Sequence, residues 1–227
     1  IMSKIGTTAN TITLNYLPQN LIINSASPDR TSGSPGDPFA DLTQLNVSVN
    51  GTEIVSLASN ATIESAFQCN NQVGGFIDVT VAANVGVPKQ TVLQLADGKI
   101  ENVNCNITFT STTEYNVYGN SENLGTENFF WSTSTINSLS NNIYSDFRSL
   151  TFPEDSGELI IQWANGYSDK FVLDNGNEVV SLASKYMSQI NLPGESVVTV
   201  FNPGNEIASI QYFNNDGTNA QTVVVQR

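Results

Sequence analysis

The stretch Asn50-Gly51-Thr52-Glu53-Ile54-Val55-Ser56-Leu57-Ala58-Ser59 returns later in the chain as Asn175-Gly176-Asn177-Glu178-Val179-Val180-Ser181-Leu182-Ala183-Ser184. In each copy Asn-Gly supplies the two positive φ angles that a type I′ turn needs, and runs rich in apolar and β-branched residues flank it. A match of this length indicates an internal duplication. Each copy is therefore predicted to form a β-hairpin.

Further echoes extend the duplication beyond the hairpin. In chain order, residues 13–14 match 151–152, residues 21–23 match 159–161 with the same offset, and residues 77–81 more weakly match 196–200. The first copy also carries a polar stretch rich in Pro and Gly, residues 25–38, which has the composition of an inserted surface loop. The sequence therefore predicts two similar domains, residues 1–120 and 121–227.

The composition favours an all-β fold. Charged residues make up 13% of the chain, whereas Asn, Ser, Thr and Gly are abundant and the apolar runs are short and punctuated by turn residues. Counting these runs predicts about eight strands in each half, which is the number that an eight-stranded sandwich requires. The predicted strands are residues 11–16, 20–24, 45–49, 52–57, 76–82, 90–95, 100–110 and 114–118, then 128–131, 150–152, 159–163, 170–173, 177–182, 196–201, 206–213 and 221–225.

A few segments fall outside this strand pattern. Short helical turns are predicted for Asn60–Phe67, where Ile63 and Phe67 share one face, and also for residues 138–147 and 184–190. Residues 1–10 are predicted to be a polar arm, and residues 119–125 a junction between the domains.

The charge and the composition of the chain argue against several functions. The net charge is -13 with only eight Lys and Arg residues, so extended contact with nucleic-acid phosphates is not expected. Histidine is absent, which removes the usual base of a hydrolytic triad and the commonest metal ligand. No stretch approaches the roughly 20 apolar residues that a transmembrane helix needs. The chain is therefore predicted not to be an enzyme.

Carboxylates in the turn-rich segments are the remaining candidates for chemistry. Asp37 with Asp41, or Glu154 with Asp155, could form the acid pair of a glycosidase. Structural calcium could be held by Asp29, Asp37 and Asp41, or by residues 214–216, although neither set has the spacing of an EF-hand loop. In Pro- and Gly-rich turns such residues more often cap the backbone, so this interpretation is preferred and no cofactor is predicted.

The aromatic residues allow two interpretations. Trp131, Trp163, Tyr118 and Tyr212 could form a platform on which sugars stack, although tryptophan in an alternating strand is more often part of the core. Neighbouring strand residues point to opposite sides, so one side of the run from Phe129 to Trp131 is expected to meet another domain or subunit.

Two other patterns carry less weight. Cys69 and Cys105 match no metal-binding spacing and are either two thiols, which a protein assembled in the cytoplasm favours, or one disulfide. The glycosylation pattern Asn-x-Ser/Thr begins at Asn46, Asn50, Asn60 and Asn106. It is expected by accident in a chain so rich in these residues.

With its duplicated Thr-(Leu/Phe), Leu-Ile-Ile and Asn-Gly-x-Glu-(Ile/Val)-Val-Ser-Leu-Ala-Ser segments, the chain resembles the double jelly-roll major capsid proteins of tailless icosahedral viruses with an internal membrane. That family includes the tectivirus and corticovirus lineage and the small phages of the finnlakevirus type. The resemblance lies in two tandem eight-stranded jelly rolls and spans much of both halves. This chain is shorter than most members and so has less room for long outer loops.

The resemblance implies a structural role in the virion. It implies homotrimers with a pseudo-hexagonal outline, neighbouring capsid trimers, penton or minor capsid proteins, and a lipid membrane beneath the shell, with assembly in the host cytoplasm and no direct contact with nucleic acid. Lys4 in the N-terminal arm would face the membrane. The loop containing Asp29, Arg30, Asp37 and Phe39 would lie on the outer surface or clamp a neighbouring subunit.

Two rival functions remain open at this point. A tandem β-sandwich adhesin, carbohydrate-binding module or receptor-binding spike would use the same composition. A glycosidase built on a carboxylate pair ranks last, because carboxylates in Pro- and Gly-rich turns more often cap the backbone. It would be supported by polysaccharide hydrolysis that disappears when Asp37 or Glu154 is neutralised.

Overall fold

The computed structural model of the chain describes residues 2–24, 41–68, 90–136, 149–152, 157–173, 178–184, 187–191, 197–201, 207–214 and 221–227. The chain divides into two compact units, Ile1–Trp131 and Ser132–Arg227. Residues 121–131, which the sequence assigns to the second domain, are thus grouped with the first unit. The predicted strand at 76–82, the predicted helical turns at 138–147 and the echo between 77–81 and 196–200 fall wholly or partly outside the described residues.

In the described residues of the first unit there are eight strands, followed by a ninth at its end, and one helix. The strands are β1 (Met2–Thr7), β2 (Ile12–Leu17), β3 (Asn20–Asn24), β4 (Leu42–Val49), β5 (Thr52–Leu57), β6 (Gln90–Gln94), β7 (Ile100–Ser111) and β8 (Asn116–Asn120). Helix α1 (Asn60–Gln68) lies between β5 and β6, and β9 (Trp131–Ile136) begins at the last residue of the unit. All but one of the strands predicted in the described part of this unit are present within a few residues of their predicted bounds.

The strand pairing of the first unit is nested. β1 pairs with β8, β2 with β7, β3 with β6 and β4 with β5, and all four pairs are antiparallel. Within this unit the strands form two sheets, ordered β1-β8-β3-β6 and β2-β7-β4-β5. A long antiparallel ribbon that is rolled up so that its pairs alternate between two facing sheets is a jelly roll. The first unit therefore has the complete jelly-roll topology.

The hydrophobic core of the first unit follows the two-residue period of its strands. Along β7, Cys105, Ile107 and Phe109 are buried, and the intervening polar residues face outward. Val47 and Leu45 of β4 pair with Ile107 and Phe109, which extends the buried rows across the sheet. The other sheet adds the fully buried residues Leu21, Ile22, Ile23, Leu93 and Val117.

The first copy of the repeated stretch forms the predicted hairpin. Asn50 has a φ of 51° and Gly51 a φ of 81°, so both central residues of the turn are left-handed, as a type I′ turn requires. The amide of Asn104 donates to the Asn50 side-chain oxygen at 2.8 Å, and the Asn50 amide donates to the Asn104 carbonyl at 2.8 Å. These bonds attach the turn to β7, so the hairpin prediction is confirmed here.

Helix α1 confirms the helical turns that were predicted after the hairpin. Ser59 caps its first turn, because the Ser59 hydroxyl oxygen accepts the amide of Thr62 at 3.2 Å. Ile63 and Phe67, four residues apart, are both buried, and the helix packs against β4 and β6. The apolar face of the helix therefore covers the edge of the core.

The polar arm predicted for residues 1–10 is wrong. The segment contains strand β1, which pairs with β8 from Met2 opposite Asn120 to Thr7 opposite Asn116. Ser3 and Lys4 are exposed on this edge strand, which hides the alternation that would have identified it. Gly6 lies against Ile12, because a Cβ at Gly6 would approach the Ile12 side chain to 2.6 Å.

The second unit is also built of strands in its described residues. They are β10 (Ser149–Phe152), β11 (Gly157–Trp163), β12 (Ser168–Leu173), β13 (Glu178–Ser184), β14 (Met187–Asn191), β15 (Val197–Phe201), β16 (Ile207–Asn214) and β17 (Gln221–Gln226). One sheet of this unit runs β15-β14-β13-β10-β17 and another runs β12-β11-β16. Three nested pairs recur, namely β10 with β17, β11 with β16 and β13 with β14. The predicted all-β class with two tandem sandwich units is confirmed.

Two local predictions for the second unit are wrong. The second copy of the repeated stretch does not form a hairpin, because β12 pairs with β11 whereas β13 pairs with β10 and β14 in another sheet. Helical turns were predicted at 184–190, but β14 occupies most of that segment and pairs with β13 and β15. In both cases the choice of strand partners overrides the local pattern.

Candidate functional site

Asp41 lies immediately before β4 in the first unit. The hydroxyl of Thr112 donates to one carboxylate oxygen of Asp41 at 2.9 Å, and the buried Tyr115 hydroxyl donates to the other. The amide of Thr112 donates to the Asp41 carbonyl at 3.2 Å. Both Asp41 carboxylate oxygens thus accept hydrogen bonds, and this residue ties the start of β4 to the turn between β7 and β8.

Thr8 connects a second turn to the same end of the unit. Its hydroxyl accepts the Tyr115 amide at 2.9 Å and donates to the Thr113 carbonyl at 3.1 Å. Its own amide donates to the Tyr115 carbonyl at 2.9 Å. The turns after β1 and β7 and the start of β4 are therefore joined into one hydrogen-bonded group, made of Thr8, Asp41, Thr112, Thr113 and Tyr115.

The predicted loop contacts Asp29, Arg30, Asp37 and Phe39 lie outside the described residues, and so do Glu154 and Asp155. The structure therefore places only Asp41 of the candidate carboxylates, and it shows this residue in a structural contact. In the part of the chain that the structure describes, no group of three or more Cys, Asp or Glu residues could hold a metal ion. The roles of the loop residues remain predictions.

The aromatic residues proposed as a sugar-stacking platform belong to the core where they are described. Trp131, Trp163 and Tyr118 are 1%, 3% and 8% exposed, respectively. The indole of Trp131 donates to the Gln94 carbonyl at 2.8 Å, and that of Trp163 donates to Asp169 at 2.7 Å. These three rings therefore cannot offer their faces to a sugar, and the interpretation as core residues is confirmed for them.

The segment from Ser121 to Trp131, here called the strap, was predicted in part as a junction, but it is tied to the first unit along its length. The Glu122 amide donates to the Gln19 side chain at 2.8 Å, and the Gly125 amide donates to the Lys99 carbonyl at 2.8 Å. The Phe129 amide donates to the Leu95 carbonyl at 2.8 Å.

Asp97 holds the middle of the strap. Its carboxylate accepts the amides of Thr126 and Glu127 at 2.9 and 3.0 Å and the Thr126 hydroxyl at 3.0 Å. The backbone hydrogen bond from Glu127, followed by that from Thr126, lowers the pKa of Asp97 below its ordinary value of 3.8. Gly98 and Gly125 allow the two backbones to touch, because a Cβ on either would approach the other's backbone to 2.5 Å.

The aromatic run at the end of the strap alternates as the sequence suggested. Phe129 and Trp131 are buried, whereas Phe130 is 44% exposed. Leu124, also on the strap, is 67% exposed. The strap thus presents two apolar side chains to solvent, although the expected contact of Phe130 with another domain or subunit remains a prediction.

Of three further residues singled out in the sequence, Lys4 and Cys105 are described by the structure and Cys69 is not. Lys4 is exposed on β1 and pairs across the sheet with Tyr118, so its membrane-facing role remains a prediction. Cys105 is a buried thiol, and burial raises its pKa to about 11. Cys69 lies outside the described residues. None of the described helices is long and apolar enough to span a membrane.

The Asn-x-Ser/Thr pattern has a structural explanation at two of its positions. Asn46 and Ser48 lie on the outward face of β4, and Asn106 and Thr108 lie on the outward face of β7. Residues two apart on a strand share a face, so a polar outward face around one buried residue produces the pattern. At these positions the pattern marks an outward face rich in hydroxyl and amide groups.

Comparison with known proteins gives structural matches alone. No protein-family model and no curated protein matches the chain. The chain is similar to the crystal structure of the STIV MCP, with a TM-score of 0.44 and 10% sequence identity, covering 99% of this chain and 91% of that chain. It is also similar to the PBCV-1 virus capsid in a quasi-atomic model, with a TM-score of 0.42 and 9% identity, covering 100% of this chain and 92% of that one.

Proposed function

We propose that this chain is a structural virion protein, a major capsid protein whose function is to form a shell. The observation that carries the proposal is the nested strand pairing of the first unit, β1 with β8 through β4 with β5, which defines a jelly roll. Jelly rolls are recurrent building blocks of viral shells. The second all-β unit in the same chain supports a tandem arrangement.

The proposed assembly is a homotrimer that packs beside other trimers. A chain with two similar sandwich units gives a trimer six comparable units, which suits a pseudo-hexagonal outline and close packing in an icosahedral lattice. Penton or minor capsid proteins would fill positions that such trimers cannot occupy. Assembly would take place in the host cytoplasm and the product would be the virion.

The shell is proposed to enclose an internal membrane of the kind found in tectivirus-like and finnlakevirus-like particles. A chain of net charge -13 is poorly suited to contact nucleic acid, so a lipid layer between shell and genome fits its charge. Anionic lipid would favour the few cations on the inner side, and Lys4 is proposed to be one of them. Lys4→Glu should therefore reduce membrane retention in purified particles, and unchanged lipid content would count against the role.

The predicted loop of residues 25–39 is proposed to lie on the outer surface or to clamp a neighbouring subunit. Asp41, which follows this segment in the chain, is held by hydrogen bonds from Thr112 and Tyr115. Such an anchor gives an inserted loop a defined point of departure from the sheet. Limited proteolysis of the isolated chain and of particles tests the clamp, which predicts cleavage only in the isolated chain.

Electron microscopy of the purified protein, together with its native mass, tests the proposed function. The expected result is a flat particle with a hexagonal outline and a mass of three chains. An elongated monomer would overturn the capsid proposal and favour the adhesin or receptor-binding alternative.

A further inference from the structure

The middle of the outward face of β2, β7 and β4 in the first unit presents hydroxyl and amide side chains. Thr13, Thr108 and Thr110 are exposed on it, and Asn46, Ser48 and Asn106 are partly exposed. The residues between them, such as Ile12, Ile107 and Val47, are buried on the opposite face. We call this surface the neutral face.

The side chains of the neutral face stand in registered rows across the strands. One row joins Thr13, Asn106 and Ser48, and the next joins Thr108 and Asn46. Neighbouring strands are about 4.8 Å apart, so each row repeats polar groups at a spacing on the order of a sugar ring. The rows thus form a regular array of hydrogen-bonding groups.

Hydrogen bonds between side chains hold this array in place. The Thr13 hydroxyl donates to the Asn106 side-chain oxygen at 3.0 Å, and the Thr110 hydroxyl donates to the Gln44 side-chain oxygen at 3.4 Å. The hydroxyls of Thr11 and Thr108 lie 3.5 Å apart. Side chains that are already ordered lose less conformational entropy when they bind a ligand.

The chemistry of the neutral face limits the kind of ligand that it can bind. The two rows themselves contain no charged side chain, and carboxylates lie only at their margins, Glu53 opposite Ser48 on β5 and Glu101 farther along β7 opposite Tyr16. A polyanion gains nothing from such a surface, and the net charge of -13 repels it. The rows also lack the exposed aromatic and Arg anchors that dominate contacts between proteins.

Hydroxyl and amide groups that both donate and accept hydrogen bonds, on a flat surface without charge, match a ligand made of neutral hydroxyl groups. We propose that the neutral face binds an uncharged polysaccharide laid across β2, β7 and β4. This is a binding function beyond shell formation. It requires none of the buried tryptophans that the sequence had suggested as a sugar platform.

Affinity electrophoresis of the full chain in native gels tests the proposal. The probes are a panel of soluble neutral polysaccharides (dextran, amylose, laminarin and galactomannan), with alginate and heparin as anionic polymers. At least one neutral polymer is expected to retard the chain, and the anionic polymers are not. Absence of retardation by the whole neutral panel, as an ordinary solvated sheet face would give, or retardation by the anionic polymers alone, overturns the proposal.

Variants then locate the binding on the neutral face. Thr13→Val with Thr108→Val removes two hydroxyls and keeps the β-branched shape, so the dissociation constant should rise about tenfold. Asn46→Asp should weaken binding as well, because it places a charge within the array. The matched control is Thr52→Val, an exposed threonine that pairs with Val49 on the opposite side of the same sheet. Equal weakening by the control, or unchanged binding in folded face variants, overturns the assignment.

Discussion

The two copies of the repeated stretch have nearly the same sequence but different strand partners. In the first unit β4 and β5 pair around Asn50-Gly51, whereas in the second unit β12 and β13 lie in different sheets. The second unit has another Asn-Gly, Asn165-Gly166, which joins β11 to β12 as a hairpin. Turn chemistry therefore permits a hairpin at several places, and competition between strands decides which one forms.

Other echoes of the duplication fall on equivalent strands. Thr13-Leu14 lies in β2 and Thr151-Phe152 in β10, and both strands pair with a late strand of their own unit. Leu21–Ile23 lies in β3 and Leu159–Ile161 in β11, which likewise pair with late strands. In each unit the two consecutive strands belong to different sheets. The duplication thus preserves the start of the roll, and the units diverge at the repeated stretch.

The comparison can be tested most strongly at the tryptophans, since each unit contains one of the two in the chain. Trp131→Ala and Trp163→Ala each remove a buried ring with a bonded indole, so each should lower the free energy of unfolding by about 3–5 kcal/mol. Chemical denaturation followed by circular dichroism measures this. A loss below about 1 kcal/mol for either variant would show that its ring is not packed as described.

The strap offers the next largest effect and concerns the first unit alone. Gly125→Ala places a Cβ at 2.5 Å from the Gly98 carbonyl oxygen, so the strap must shift and the free energy of unfolding should fall by about 1–3 kcal/mol. Leu124→Ala is the control, because this side chain is 67% exposed and its loss should change stability by less than about 0.5 kcal/mol. Thermal melts of both variants decide the matter, and equal effects would contradict the close approach.

The two Asn-Gly hairpins that do form give a matched pair. Gly51 has a φ of 81° and Gly166 a φ of 92°, and a Cβ at either would meet no atom within 4 Å. Alanine at each position should therefore cost about 1–2 kcal/mol through backbone strain alone. Gly51→Asn should cost less, because asparagine tolerates the left-handed region. Urea unfolding measures the loss at both sites. If Gly166→Ala leaves the free energy of unfolding unchanged, the turn of the second hairpin does not require a left-handed backbone at residue 166.

Much of the first unit could be predicted from sequence because its strands alternate and the turn between β4 and β5 carries Asn50-Gly51. The prediction failed at β1, where exposed Ser3 and Lys4 on an edge strand conceal the period. It also failed for part of the strap, whose polar residues read as a linker but bond to Asp97 and Lys99. In the second unit it missed the hairpin at Asn165-Gly166 and took β14 for a helix. Which of several neighbouring strands will pair leaves little trace in a local pattern.

For the candidate surfaces too, part of the pattern was visible in the sequence and part depends on strand pairing. The alternation of Asn46 with Ser48 and of Asn106 with Thr108 was visible in the sequence as a glycosylation pattern, yet its meaning depends on the strands being adjacent. No local pattern could show that Asp41 would contact Thr112 and Tyr115, because these residues lie far apart in the chain. The sequence therefore predicts faces of single strands, and the pairing assembles them into sites.

The smallest effect is expected at Asp97, which ties the strap to the first unit. Its pKa is lowered in the folded chain, so the carboxylate stabilises the fold above its ordinary pKa of 3.8, and this contribution is lost as the pH falls through the lower folded value. Asp97→Ala should lower the melting temperature slightly at pH 7, and the difference from the unmodified chain should shrink in acid. Thr126→Val removes only the hydroxyl donor and should have a smaller effect. Melting temperatures measured from pH 7 to pH 2.5 test this prediction. A difference that grows in acid would mean that the Asp97 carboxylate does not hold the strap. The strap would then depend on its backbone contacts alone.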